Sequence, residues 1–355
     1  MTEALKEKLR KITPYVPGEQ SKESGIIKLN ANENPYPPSP QAAAVLKNFA
    51  PDTLRLYPDS GAGVLKEAIA AFYGVKAENV FVANGSDDVI ALAFQAFFCS
   101  EKPILFPDIT YSFYPVWCDL FQIPYKTVPL DENFRIDPQD YSGASGGIVI
   151  ANPNAPTSIG EGEAFVRRIL TQNTDAVVMV DEAYADFSEY SAVGLTREFD
   201  NLVVTGTFSK SRSLAGLRIG FAVANPELIA ILEAVKNSYN SYCVNSVSML
   251  AGAASIADKD YFYETVAKVK ATREKTAAAL RALGFTVADS GTNFLFVTKD
   301  DSDMKAMFEY LKEKKVFIRY FDLPRIDNHV RITVGTDEEM QALLDSIRTF
   351  VKLNS

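Results

Sequence analysis

A series of short apolar runs decides what this chain can fold into. NVFVA, PILF, GGIVIA, AVVMVD, NLVVTG and IGFAVA are rich in β-branched residues and almost free of polar interruption. A strand with one face in water alternates apolar and polar residues. These runs do not, so they predict strands covered on both faces, as in the mostly parallel sheet of an α/β fold. Helical stretches lie between several of them, among them GVLKEAIAAFYG, with Gly74 as its stop, and SDDVIALAFQAFF. IPYKTVPL adds a further strand. The pattern predicts one large α/β domain over residues 46–245.

Beyond residue 245 the character changes. A long helix near 259–283 is followed by FTVAD, NFLFVT, a helix at 303–314, VFIRYF, VRITVG and a closing helix. That order predicts a smaller α+β domain over 246–355. Residues 1–45 begin with a short polar helix and the turn YVPGEQ. IIKLNANENPYPPSP follows, whose prolines forbid a helix. This segment reads as an extended arm belonging to the smaller domain. A chain of 355 residues has room for two domains.

Composition narrows the class of function. The net charge is −9 and no Lys/Arg run supplies a basic face, so no nucleic-acid partner is expected. No run of about 18 apolar residues is present, so no helix is expected to span a membrane. The start MTEALKEKLRKITPYVPG lacks the apolar centre of a secretory signal. The single histidine, His329, argues against a multi-histidine metal site and against a Ser–His or Cys–His hydrolase. Cys99, Cys118 and Cys243 form no CxxC pair, which fits a reducing cytoplasm. No metal is expected.

In open parallel sheets ligands bind outside the carboxyl ends of the strands. NVFVA is followed by Asn84-Gly85-Ser86-Asp87, GGIVIA by NPNAPTS, AVVMV by Asp181-Glu182-Ala183-Tyr184, and NLVVTG by Thr207-Phe208-Ser209-Lys210. The Gly85-Ser86 turn opens a helix, and such a start either binds phosphate or is simply capped by Ser86. Asp87 and Asp88 oppose a phosphate unless they point away; Arg218, Thr207 and Ser209 offer compensating contacts. Asp181 ends a strand, and a buried carboxylate there either makes a structural ion pair or meets a protonated ring nitrogen. Tyr184 lies within reach of an adjacent phenolic oxygen. Tyr111 is either a core aromatic or a flat face for a ring. A lysine amine beside other cations becomes a usable nucleophile toward a carbonyl, which gives Lys210 a task. Each of these residues has a bland reading alone. Together they describe a pyridoxal-phosphate site.

The blocks NENPY, RLYPD, NGSDD, PDITYSFY, NPNAPT, VDEAYADF, TFSKSRSLAGLR and VRITVGT resemble, in this order, the motifs of fold-type-I pyridoxal-phosphate aminotransferases. The match is closest to the histidinol-phosphate branch and runs over about residues 28–340. The resemblance implies pyridoxal 5'-phosphate as cofactor, with Lys210 joined to its aldehyde and moving the substrate α-proton. It places Asp181 on the ring nitrogen, Tyr184 on the ring oxygen and Tyr111 against the ring. It assigns the cofactor phosphate to Gly85, Ser86, Asp87, Thr207, Ser209 and Arg218, with Tyr57 reaching it from the other subunit of a homodimer. It assigns substrate contacts to Tyr36, Arg319 and Arg331, with a strand-edge salt bridge as the other reading of the two arginines. The implied reaction is transfer of an amino group from L-histidinol phosphate to 2-oxoglutarate. An aromatic aminotransferase and a decarboxylase of a phosphorylated amino acid are rivals on the same framework, and a non-catalytic cofactor-binding module is a third. One departure stands out. The family often has Asn-Asn-Pro-Thr-Gly, with the second asparagine on the ring oxygen. This chain has Ala155 there and Ser158 in place of the glycine, with Asn154 the nearest amide.

Overall fold

The computed structural model describes residues 1–15, 19 and 23–354, so most of the YVPGEQ turn lies outside the described residues. The apolar runs form one seven-stranded sheet: β1 Val80–Ala83, β2 Ile104–Pro107, β3 Tyr125–Val128, β4 Gly147–Ala151, β5 Val178–Asp181, β6 Leu202–Thr207 and β7 Gly220–Ala224. Their spatial order is β1-β7-β6-β5-β4-β2-β3. Every pairing is parallel except those of β7, which runs antiparallel to both β1 and β6. All residues of β1, β4, β5, β6 and β7 are buried. The edge strand β3 instead exposes Tyr125, Lys126 and Thr127.

Alternate side chains feed two separate apolar layers. Val80, Val82, Ile148, Ile150, Val178 and Val180 pack on one face. Phe81, Ala83, Val149, Met179, Val203 and Ala222 pack on the other. Each of the larger side chains contributes roughly 1.5–3 kcal/mol relative to exposure, which is why the strands tolerate almost no polar residue between their ends. Polar chemistry is thereby pushed to the loops. Because β1, β4, β5 and β6 all point the same way, their carboxyl ends share one edge of the sheet.

Helix α1, Ser86–Phe97, starts at the end of β1, and α2, Phe113–Phe121, lies beyond β2. The helix Ser246–Ala257 sends Met249 and Ile256 into the core of the large sheet. The long helix α3, Lys259–Ala282, then leads to a second sheet. That sheet comprises β8 Thr286–Val287, β9 Phe294–Thr298, β10 Arg319–Tyr320 and β11 His329–Thr333, antiparallel in the order β10-β11-β9-β8. Leu295, Val297, Val330 and Ile332 form its core with Met307, Leu343 and Ile347. The arm joins this unit. Ile27–Lys28 pairs in parallel with Val316–Phe317, and Leu29 is buried in the same cluster. Among the described residues no helix is long and apolar enough to cross a membrane, and no group of His, Cys, Asp and Glu has the arrangement of a metal site.

Candidate active site

A cleft of about 340 Å³ opens where the shared strand ends of the large sheet face β10, β11 and the arm. Asp181, the last residue of β5, lies at its floor and is buried. Its Oδ2 accepts a hydrogen bond from Tyr114 at 2.9 Å. Its Oδ1 accepts from the Thr205 hydroxyl and the Ala183 amide, both at 3.3 Å. Burial raises its pKa to about 6, and the three donors offset only part of that rise. No cation among the described residues pairs with it.

Lys210 follows β6 and reaches into the cleft. Its Nζ lies 3.4 Å from the Ala31 carbonyl oxygen and 5.8 Å from the centre of the Tyr184 ring. The backbone beneath it is pinned. Asn34 Nδ2 donates to the carbonyls of Lys210 and Ser211 at 2.9 and 3.2 Å, and the Ser211 hydroxyl bonds Asp186. Tyr184 also lines the cleft, and its hydroxyl accepts a hydrogen bond from Asn32 Nδ2 at 2.8 Å.

The Gly85-Ser86 turn is open rather than capped. Gly85, at φ 94°, occupies the N-cap position of α1, and no side chain caps the helix. Ser86 is one residue too far along to serve, so the first-turn N–H groups and the helix dipole face the cleft. Two close approaches explain the glycines here. A Cβ on Gly85 would meet Arg218 Nη2 at 2.5 Å, and one on Gly220 would meet the Gly85 carbonyl carbon and the Ser86 nitrogen at 2.3 Å. Thr207 and Ser209 complete the rim, their hydroxyls 3.0 Å apart. The acidic residues are restrained. Asp87 accepts from the Tyr111 hydroxyl at 2.9 Å and from Arg218 at 3.1 Å, while Asp88 accepts from the Asn84 amide at 3.1 Å. The bond to Asp87 also fixes the Tyr111 ring at the cleft wall, where burial raises the phenol's pKa far above its usual value.

The opposite wall carries Arg319 and Arg331, which sit directly across from each other on β10 and β11. Like charges at facing positions repel. Neither arginine has a carboxylate partner among the described residues. Arg331 gives one N–H to the Asn30 carbonyl at 3.0 Å, stands 5.2 Å from the Phe294 ring, and has a buried Nε without a partner. Burial lowers its pKa. The strand-edge salt bridge weighed for these residues is absent. Two facing cations with a spare buried donor make a receptor for a doubly charged anion.

Three expected residues do not meet the others. Asn154 is buried behind the cleft wall. Its amide donates to the Ile109 carbonyl and the Thr157 hydroxyl, and its oxygen accepts from Thr110, so the side chain holds the loop and Ala155 faces the cleft instead. Tyr36 packs beside Phe187 and Phe262, with Lys268 over its ring. Tyr57 is 83% exposed and stacked on Tyr242, outside the cleft of its own chain. Conversely, sequence reasoning missed Asn32, Tyr114 and Tyr15. The first lies in the NANEN run of the arm, and the second lies in the same PDITYSFY block as Tyr111. Tyr15 stacks on Phe113 and lines the cleft.

The donor set fits pyridoxal phosphate on three counts. An uncapped helix start with Arg218, Thr207 and Ser209 suits a phosphate. A buried carboxylate without a cation suits a protonated ring nitrogen. A phenol, Tyr184, lies beside the lysine that would meet an aldehyde.

A family model for aminotransferase class I and II matches residues 24–347. A histidinol-phosphate aminotransferase of Chromohalobacter salexigens is 49% identical over 339 residues, covering 96% of each chain. One of Acinetobacter baumannii is 51% identical over 344 residues, 96% of this chain and 95% of that one. The crystal structure of histidinol-phosphate aminotransferase from Sinorhizobium meliloti in complex with pyridoxal-5'-phosphate superposes with a TM-score of 0.83 at 23% identity, covering 93% of this chain and 92% of that one.

Proposed function

The chain belongs to the aminotransferase class I and II family, whose members use pyridoxal phosphate, and from that premise we propose that it transfers the amino group of L-histidinol phosphate to 2-oxoglutarate. The products are imidazole acetol phosphate and glutamate, and the step belongs to histidine biosynthesis in the cytoplasm. The observation that carries the substrate assignment is the facing pair Arg319 and Arg331, which has no carboxylate partner among the described residues. A substrate with no anionic group at that end would leave both guanidinium groups unpaired in a half-buried pocket.

When bound, pyridoxal phosphate supplies an aldehyde that joins amines and a protonated ring that withdraws electrons. The protein supplies the rest. Gly85, Ser86, Asp87, Thr207, Ser209 and Arg218 hold the phosphate at the start of α1. Asp181 would keep its negative charge for the ring nitrogen, and Tyr184 would donate to the ring oxygen. Tyr111 packs against the ring. Lys210 Nζ would be the amine that holds the aldehyde, and once free it would serve as the base that moves the substrate proton. Arg331 and Arg319 grip the substrate phosphate in one half-reaction and a carboxylate of 2-oxoglutarate in the other, which a planar fork allows.

The exposed side chains of Leu54, Leu56, Tyr57 and Tyr239 support a homodimer in which Tyr57 reaches the partner's cofactor phosphate. Tyr36 serves the substrate only if the arm shifts on binding.

A visible absorption band of the purified enzyme should be discharged by histidinol phosphate and restored by 2-oxoglutarate. Faster turnover of phenylalanine than of histidinol phosphate, or release of carbon dioxide without an acceptor, would overturn the substrate assignment. Full amino transfer by Lys210→Ala would overturn the role of the lysine.

A further inference from the structure

The loop that should present an asparagine to the cofactor ring presents Ala155, and Asn154 is fully occupied elsewhere. The other nearby amide, Asn152, is also committed, exchanging hydrogen bonds with the backbone of Glu161 at 2.7 and 3.0 Å. On the proposed reading of the site, the ring oxygen therefore meets Tyr184 without a second amide donor.

Asn32 addresses that shortage. It is 2% exposed and sits at φ 55°, a left-handed conformation that asparagine tolerates. The Thr333 hydroxyl accepts the Asn32 backbone N–H at 3.0 Å and donates its own hydrogen to Asn32 Oδ1, also at 3.0 Å. That fixes Oδ1 as an acceptor and turns Nδ2 toward Tyr184 at 2.8 Å. The arrangement is braced further by Asn293, a fully buried residue whose Nδ2 donates to the Asn32 carbonyl at 3.0 Å. Because the Tyr184 oxygen accepts from Asn32, its hydrogen must point elsewhere. No group among the described residues accepts it, and Tyr184 lines the cleft next to Lys210.

We propose that Asn32 is a positioning residue that aims the Tyr184 hydroxyl hydrogen at the cofactor ring oxygen and strengthens it as a donor, in place of the amide missing at Ala155. A hydroxyl that accepts one hydrogen bond donates the next more strongly. A strong donor satisfies the negative ring oxygen when the neighbouring lysine-linked nitrogen has lost its proton. Removing Asn32 leaves that oxygen less satisfied, so the nitrogen should hold its proton to higher pH.

The test is a spectroscopic pH titration of the cofactor-loaded enzyme. Asn32→Gly keeps the left-handed backbone and removes the amide. It should move the midpoint of the visible band upward by roughly half a pH unit, the scale of a weakened neutral hydrogen bond. Asn32→Asp, which also tolerates the backbone and would accept the Tyr184 hydrogen, should move it further in the same direction. In a Tyr184→Phe background Asn32→Gly should produce no additional shift. An unchanged midpoint in both Asn32 variants, or the same shift with Tyr184 absent, would overturn the proposal and leave Asn32 as a brace for β11. Absence of any visible band in the parent protein would instead refute the cofactor linkage at Lys210, a separate failure.

Discussion

Asp181→Asn should stabilise the cofactor-stripped protein while weakening its hold on the cofactor. The carboxylate is 5% exposed, and burial lifts its pKa from 3.8 to about 6. A folded pKa above the unfolded one means that the fold favours the protonated acid. The associated stability is complete below pH 4 and is lost as pH rises through 6. A rise of roughly two pH units corresponds to about 3 kcal/mol of destabilisation by pH 8. Asparagine removes the charge but disturbs the bonds from Tyr114 and Thr205, at about 1 kcal/mol. The stripped variant should therefore gain about 2 kcal/mol at pH 8, and the gain should shrink as pH falls toward 4. Urea unfolding of stripped parent and variant, followed by intrinsic fluorescence at several pH values, measures this. In the loaded protein the sign reverses. Loss of the partner for a protonated ring nitrogen should raise the cofactor dissociation constant roughly a hundredfold, the scale of a buried charge-assisted bond. A stripped variant no more stable than the parent at pH 8 would show that Asp181 is not held as an uncompensated buried charge.

Neighbouring groups give further tests. Glu182 is buried beside the Ser191 hydroxyl and the Ala192 amide, and burial raises its pKa to about 8. Its stability contribution is therefore lost as pH rises from 4.5 through 8, and Glu182→Gln should flatten the stability–pH profile over that window by at most about 5 kcal/mol. Arg331→Met should raise KM for histidinol phosphate by about 30- to 100-fold, the scale of a charge-assisted bond, while leaving thermal stability unchanged or higher because an uncompensated buried cation is gone. Gly220→Ala would place a Cβ 2.3 Å from the Ser86 nitrogen. It should weaken cofactor binding at least about tenfold by displacing the start of α1, with a stability loss of roughly 1–3 kcal/mol. Fluorescence titration of the stripped variant with pyridoxal phosphate reads that change.

The large sheet was legible because burial on both faces leaves an unbroken apolar run, and its site was legible because such a sheet can place polar groups only at its ends. Lys210, Asp181 and Tyr184 stand where that argument puts them. The same argument is blind to groups arriving from elsewhere. Asn32 lies 152 residues from Tyr184 and Asn34 lies 176 from Lys210, yet both reach the strand ends through the arm. The prolines of NENPYPPSP show that the arm is extended but not what it lies against. Ser86 failed as a cap for a local reason. Serine is a good cap residue, but Gly85 can adopt φ 94°, which moves the cap position one residue earlier. For Asn154 the composition of NPNAPTS was right for a polar turn, and the turn itself consumed the amide.

The two arginines mark the remaining boundary. VFIRYF and VRITVG each read as a strand, and each places one guanidinium on a strand surface. Whether Arg319 and Arg331 meet carboxylates or each other depends on register, since a slip of one residue sends a side chain to the other face. Here β10 pairs Arg319 with Arg331 and Tyr320 with Val330, while β9 sets Phe296 opposite Arg331 on the other side. With an apolar neighbour on one side and a second cation on the other, Arg331 has no carboxylate counter-ion among the described residues. On the proposed reading, the repulsion between the pair is offset when an anion enters the cleft between them and Lys210. The facing of the two arginines is therefore written in strand register, which only the assembled sheet displays.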